Sequence, residues 1–233
     1  MKLTLIEHLS ELRKTLIAIM AIIIVGSIAS YVVVERVMEV VLAPAQSLQF
    51  IYLTPPELFI TYVRLSLVMG LIITTPITLL LIWRFIRPGL SRKEKITLGV
   101  ALSMGVLFFC IGVFFAYSTI VPLSIQFFLS MSIQDVQPMF SIGSYVGFVS
   151  TMLLSFGLVF EMPILVVLLA RFNLVTTAGL RRHRKFVFLA IVIVAAVLSP
   201  PDIISQMLLA TPMVLLFELS VLTAYFIQRY QKK

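Results

Sequence analysis

Apolar blocks long enough to cross a bilayer alternate along the chain with short segments that carry almost all of the charge. Residues 15–34 form the first block, twenty residues without a charged side chain. A straight helix rises about 1.5 Å per residue and needs about 20 apolar residues to traverse a hydrocarbon core of about 30 Å. Breaking the sequence at charges and prolines leaves such blocks near 15–34, 58–86, 96–121, 143–170, 186–199 and 203–227. The pattern therefore predicts an all-α membrane protein with six transmembrane helices in one domain covering residues 1–233. An even number of spans returns both termini to the same side.

Two of the connections on the opposite side are longer, about 35–57 and 129–142, and hold Glu35, Glu39, Glu57 and Asp135. In the first, Val37, Val40 and Val41 recur at helical spacing against Glu35 and Glu39. A short interfacial helix ending at Pro44 is expected there. The fifth span is short, because only 14 residues separate Lys185 from Pro200, a helix of about 21 Å. Short fifth and sixth spans imply a locally thinned bilayer, at a modest cost per Å of mismatch.

Composition removes the soluble alternatives. At 61% hydrophobic and 12% charged residues, the polar pieces are too small to fold separately. The net charge of +8 does not point to nucleic acid, since the cations gather at the ends of apolar blocks, where they meet lipid headgroups. Four clusters contain all but Arg36 and Arg64 of the 18 Lys+Arg: Lys2 to Lys14, Arg84 to Lys95, Arg171 to Lys185, and Arg229 to Lys233. All four fall on the side of the N-terminus. By the positive-inside rule that side is cytoplasmic, and both termini lie inside. The N-terminus has no short cleavable signal pattern, so block 15–34 is expected to remain as the first span. Cys110, the single cysteine, lies in an apolar run and offers neither a disulfide nor a metal cluster.

The acids are sorted by depth. Glu11 precedes the first span and stands among Arg13 and Lys14; it either pairs with Lys14, three residues on, or is kept for a ligand. Glu94, in Arg92-Lys-Glu-Lys95 before the third span, is either part of a solvated charge run or a second carboxylate at the same face. Together the two suit a ligand with two cations, and the planar fork of arginine suits a carboxylate better than lysine does. Glu161, in Phe156-Gly-Leu-Val-Phe-Glu-Met-Pro163, lies inside an apolar block, where an ionised carboxylate costs several kcal/mol unless paired or watered. It is either functional or a protonated group bonded to a backbone carbonyl freed by Pro163. Glu218 carries the same two readings. Asp202, after two prolines, reads as the N-cap of the sixth span, and Gln206 adds an amide that meets either a partner or the protein's own helices. Gly143-Ser-Tyr-Val-Gly147 fits a close-packing motif common in membrane helices.

No nucleophile elbow, His-Glu-x-x-His zinc motif or phosphate loop occurs, and His8 and His183 stand at span ends, where interfacial or capping roles suit them. The chain reads as a non-enzyme without cofactor or metal. A small-solute secondary transporter is the alternative, since an intramembrane Glu and proline-broken helices are ordinary there.

Four motifs carry a family resemblance: His8-Leu-Ser-Glu-Leu-Arg13; Trp83-Arg-Phe-Ile-Arg-Pro-Gly-Leu90 followed by Arg92-Lys-Glu-Lys95; Phe156-Gly-Leu-Val-Phe-Glu-Met-Pro163; and Ser199-Pro-Pro-Asp-Ile-Ile-Ser-Gln206. In this order they make the chain resemble TatC, the multispanning core of the twin-arginine protein translocase, along nearly its whole length. Ser91 departs from the family, which often has an aromatic residue there. The resemblance implies a concave helix bundle that recognises twin-arginine signal peptides of folded cargo, with Glu11, Glu94, Phe85, Leu90 and His8 at the recognition surface. It also implies single-span TatA- and TatB-type partners docking around the fifth and sixth spans near Glu161, Gln206 and Asp202, in a homo-oligomer within a larger hetero-complex, driven by the proton gradient.

Overall fold

A computed structural model describes residues 5–46, 48–89, 91–130, 139–172, 174–198 and 203–231. The chain is helical almost throughout, in the order α1 (Leu5–Val32), α2 (Val34–Leu42), α3 (Glu57–Ile86), α4 (Arg92–Phe115), α5 (Val121–Ser130), α6 (Ile142–Val159), α7 (Met162–Arg171), α8 (Thr177–Arg182), α9 (Arg184–Leu198) and α10 (Ile203–Gln231). Five described stretches are long and apolar enough to cross a membrane: His8–Val32, Glu57–Gly89, Glu94–Ser130, Ile142–Arg171 and Gln206–Phe226. The fifth block of the sequence corresponds to α9, which has only 15 residues. It is short, as expected.

The expectation of a short sixth span is corrected. Helix α10 runs for 29 residues, about 43 Å, because the polar connection before α9 folds along its C-terminal part and supplies partners there. The Arg181 guanidinium sits 5.0 Å from the Tyr225 ring centroid. Gln228 accepts from the Thr177 N–H and hydroxyl, and donates to the carbonyls of Ala170 and Val175. Arg184 pairs with Glu218 at 2.8 Å, which settles what Glu218 touches. Glu218 lies within an apolar, membrane-length stretch, so Glu218→Gln, which leaves Arg184 without its partner, is expected to cost roughly 2 to 3 kcal/mol. Arg184→Gln should cost the same, and the double variant no more than either single one. Thermal unfolding in detergent at two salt concentrations checks this cycle.

The third block also runs on past its expected end. Pro122 does not stop it, because a π turn at Ala116–Ile120 ends two residues before it. Widening the backbone there is a known way to absorb a missing donor and a ring clash within a helix.

The chain forms two compact units, residues 1–106 with 139–147, and residues 107–138 with 148–233. In the first, α1 and α3 make the most extensive contact. Their backbones approach closely at glycines: a Cβ on Gly70 would lie 2.6 Å from the Ser27 nitrogen, and one on Gly26 would lie 2.4 Å from the Thr74 methyl. Helix α2 forms where expected, but buries Val34, Met38 and Val41. Val40 is exposed, so the apolar face lies one step around from the Val37, Val40, Val41 set. Pro44 is accommodated in a 3₁₀ turn, Ala43–Ala45.

Two strands were not expected. β1 (Gln49–Ile51) pairs in parallel with β2 (Met139–Ser141), Phe50 opposite Phe140. Such a pair requires a long crossover, here the whole passage through α3, α4 and α5. Beside it the Tyr145 hydroxyl donates to the Val41 carbonyl at 2.9 Å, tying α6 to α2. In the second unit, Phe156, Met152, Val149 and Val121 are buried, as are Phe217, Leu209 and Val221 of α10.

Candidate functional site

In the first unit, the start of α1 packs against the end of α3. The His8 ring stacks on Phe85 with centroids 4.7 Å apart and planes 19° from parallel. Glu11 follows His8 by one turn and so shares its face of α1. The Glu11 Oε2 is buried and accepts from no donor among the described residues, nor is an ion pair with Lys14 among the described salt bridges. A carboxylate oxygen removed from water without a donor is costly. That oxygen is the least satisfied acceptor of this surface.

Helix α4 starts with a capping box. The Glu94 Oε2 accepts from the Ser91 N–H at 2.7 Å, while the Ser91 hydroxyl oxygen accepts from the Glu94 N–H at 3.4 Å. Glu94 is thus held over the helix start, with Oε2 committed to the cap. Ser91, the departure from the family pattern, is the residue that makes the cap. Leu90 and Asp202 lie outside the described residues, as does the Ser199-Pro-Pro-Asp202 turn.

In the second unit, the helix of the fourth block is interrupted at Phe160–Glu161. Pro163 occupies the second position of α7, where its missing N–H costs nothing. The Glu161 carbonyl accepts from Ile164 and Leu165 at 3.1 and 3.0 Å. Its side-chain Oε1 is buried with no hydrogen-bond partner among the described residues. Gln206 donates its side-chain N–H to the Val192 carbonyl at 3.2 Å, linking α10 to α9. His183 caps α8, its Nδ1–H donating to the Gly179 carbonyl at 2.9 Å, which sets the tautomer.

Sequence reasoning missed the role of Glu57. Its Oε2 accepts from the N–H groups of Leu53 and Thr54 at 2.6 and 3.4 Å; its Oε1 accepts from the Gly143 N–H at 3.0 Å and from the Ser141 hydroxyl. One carboxylate thereby fastens the loop after β1 to the β2–α6 junction. The signal was present in Thr54-Pro-Pro-Glu57, a Thr-x-x-Glu box of the same kind as Ser91-Arg-Lys-Glu94. Gly143 and Gly147 serve the same junction. A Cβ at 143 would come 2.9 Å from the Glu57 Oε1, and one at 147 would come 2.5 Å from an Arg64 nitrogen. These glycines make room for side chains of α3, not for another backbone.

The family profile described as "Sec-independent protein translocase protein (TatC)" matches residues 7–212. The protein of that name from Desulforapulum autotrophicum is 37% identical over 94% of this chain and 83% of its own length. That from Aquifex aeolicus is 34% identical over 98% of each. Among solved structures, a crystal structure of the twin arginine translocase receptor TatC superposes with a TM-score of 0.86 at 32% identity, covering 94% of this chain and 99% of that one. A helical fold with apolar membrane-length stretches, shared with that crystal structure, and sequence similarity over nearly the full length lead to one conclusion: this chain belongs to the TatC family of Sec-independent protein translocase proteins.

Proposed function

We propose that this chain is the signal-peptide receptor of a twin-arginine translocase, acting by binding and assembly and not by covalent chemistry. The observation that carries the reading is the buried Oε2 of Glu11, which has no donor among the described residues, beside the stacked His8–Phe85 pair. A guanidinium entering that surface satisfies the orphaned oxygen and gains a charge-assisted hydrogen bond, while Glu94 offers its second oxygen to a neighbouring guanidinium. Leu90 and Phe85 are apolar groups suited to the residues that follow the arginine pair. Family membership displaces the solute-transporter alternative.

The chain crosses the cytoplasmic membrane six times in this reading, with both termini inside, as the clustering of cations supports. Helix α9, at 15 residues, is the fifth crossing and thins the bilayer beside it. Single-span TatA- and TatB-type helices dock near Glu161 and Gln206, with Asp202 close by in the chain. The Oε1 of Glu161, without a hydrogen-bond partner among the described residues, is the group that would hydrogen-bond such a helix or take up a proton from the gradient that drives export. Copies of this chain assemble within that hetero-complex.

Titrating the purified protein in nanodiscs with a signal peptide bearing Arg-Arg, and with its Lys-Lys counterpart, tests the reading. The Arg-Arg peptide is expected to bind at least about tenfold more tightly, since lysine cannot bridge a carboxylate with two parallel bonds. Equal affinities would defeat it.

A further inference from the structure

The first turns of α4 carry opposite charges on opposite faces. Arg92 and Lys95 share a face with Gly99, whereas Glu94 lies about 100° to 160° from these three around the helix. With Trp83 and Arg87 from the end of α3, the basic face lines an open depression of about 570 Å³. A cavity of about 500 Å³ shares Trp83, Gly99 and Ser103 with it and continues between the helices past Leu80, Leu102 and Val106. A mouth rimmed by three cations thus leads into an apolar trough.

Trp83 stands at the junction of the two. The Arg87 guanidinium lies 5.0 Å from its ring centroid, and its buried indole N–H has no acceptor among the described residues. Gly99 leaves the space beside that N–H unfilled: a Cβ there would sit 3.8 Å from the indole nitrogen and meet nothing else within 4 Å. An orphaned donor, three cations and an adjoining apolar arm ask for one molecule with anionic oxygens at one end and hydrocarbon at the other.

We propose that this trough binds an anionic glycerophospholipid from the leaflet that meets the α3–α4 connection. Its phosphate is held by Arg87, Arg92 and Lys95, an ester or phosphate oxygen accepts from Trp83, and one acyl chain lies along Leu80, Leu102 and Val106. Basic pockets between spans select anionic headgroups in this way. A free anion has no use for the apolar arm, and a cationic peptide is repelled by the rim. The site is separate from the twin-arginine surface, because Glu94 faces the other side of α4.

Trp83 is the single tryptophan of the chain, so its fluorescence reports this site alone. The full-length protein is reconstituted in phosphatidylcholine vesicles containing either brominated phosphatidylglycerol or brominated phosphatidylcholine, and quenching is followed against mole fraction. Each cation near an anionic headgroup contributes roughly fivefold. With three cations, the anionic lipid is expected to quench at about a hundredfold lower mole fraction than the zwitterionic one. The preference should vanish in the Arg87→Gln, Arg92→Gln, Lys95→Gln triple variant, and should fall roughly fivefold in Lys95→Gln alone, which guards against misfolding of the triple. Gly99→Leu, which fills the trough and leaves the charges, should cut quenching by the anionic lipid. Equal quenching of the native protein by both lipids, a preference that survives the charge variants, or undiminished quenching in Gly99→Leu would overturn the proposal. So would loss of the preference in excess inorganic phosphate, which would mark a simple anion site.

Discussion

Glu11→Gln is expected to weaken binding of an Arg-Arg signal peptide by about 30- to 1,000-fold, the equivalent of about 2 to 4 kcal/mol for truncating one side of a desolvated charge pair. The same change is expected to leave thermal stability unaltered or slightly raised. Its Oε2 is already buried without a donor among the described residues, so the free protein bears a desolvation cost that a neutral amide lessens. Lower affinity with undiminished stability marks a group held ready for a ligand. Glu94→Ala should behave differently, losing affinity and also weakening the α4 cap, because the Glu94 Oε2 serves the Ser91 N–H. Ser91→Ala separates the two roles: it removes the serine side of the box, worth about 1 kcal/mol, and keeps the carboxylate. Peptide titration by fluorescence anisotropy, alongside thermal unfolding, checks all three. If Glu11→Gln binds as tightly as the native chain, the recognition surface lies elsewhere.

Gly70→Ala is expected to be the most disruptive single-methyl change in the first unit. The added Cβ would fall 2.3 Å from the Ser27 hydroxyl oxygen and 2.6 Å from the Ser27 backbone nitrogen. The hydroxyl is pinned to the Ile23 carbonyl at 2.7 Å, and a backbone atom cannot rotate away, so α1 and α3 must separate. Overpacking of this kind costs about 1 to 3 kcal/mol. Gly26→Ala should be milder, because its nearest obstacle is the Thr74 methyl and the next is the Gly70 carbonyl at 3.3 Å. Unfolding midpoints in detergent should order native, Gly26→Ala, Gly70→Ala from high to low. A Gly70→Ala midpoint equal to the native one would mean that the helices tolerate a wider spacing than the structure shows.

Much of the architecture was legible because a bilayer imposes a length on every crossing. Residues 58–86 were expected as a span and form α3, Glu57–Ile86, despite Pro76 inside it. What failed was the assumption that proline and charge end helices. Pro122 is absorbed by a π turn, and α1 and α10 continue past their apolar blocks into charged sequence, since helical hydrogen bonding needs no hydrocarbon around it. The strands β1 and β2 were hidden for another reason: three residues each are too few for a period to show. At the candidate site, both carboxylates were singled out for their chemistry, Glu11 and Glu94. The capping box that engages Glu94 was written in Ser91-Arg-Lys-Glu94 and passed over for its charge. Burial of the Glu11 oxygen needed the tertiary arrangement of α1.

The parallel pairing of β1 with β2 has a bearing on biogenesis. Gln49 is joined to Met139, and Glu57 to Gly143, so neither tie can close until the ribosome has made about 90 further residues. At about 5 to 20 residues per second, the edge of β1 waits several seconds for its mate while the intervening helices enter the membrane. A nascent chain halted before residue 139 would keep that edge open to chaperones or proteases, and completion of β2 marks the moment when the newborn polypeptide first locks its two distant segments together.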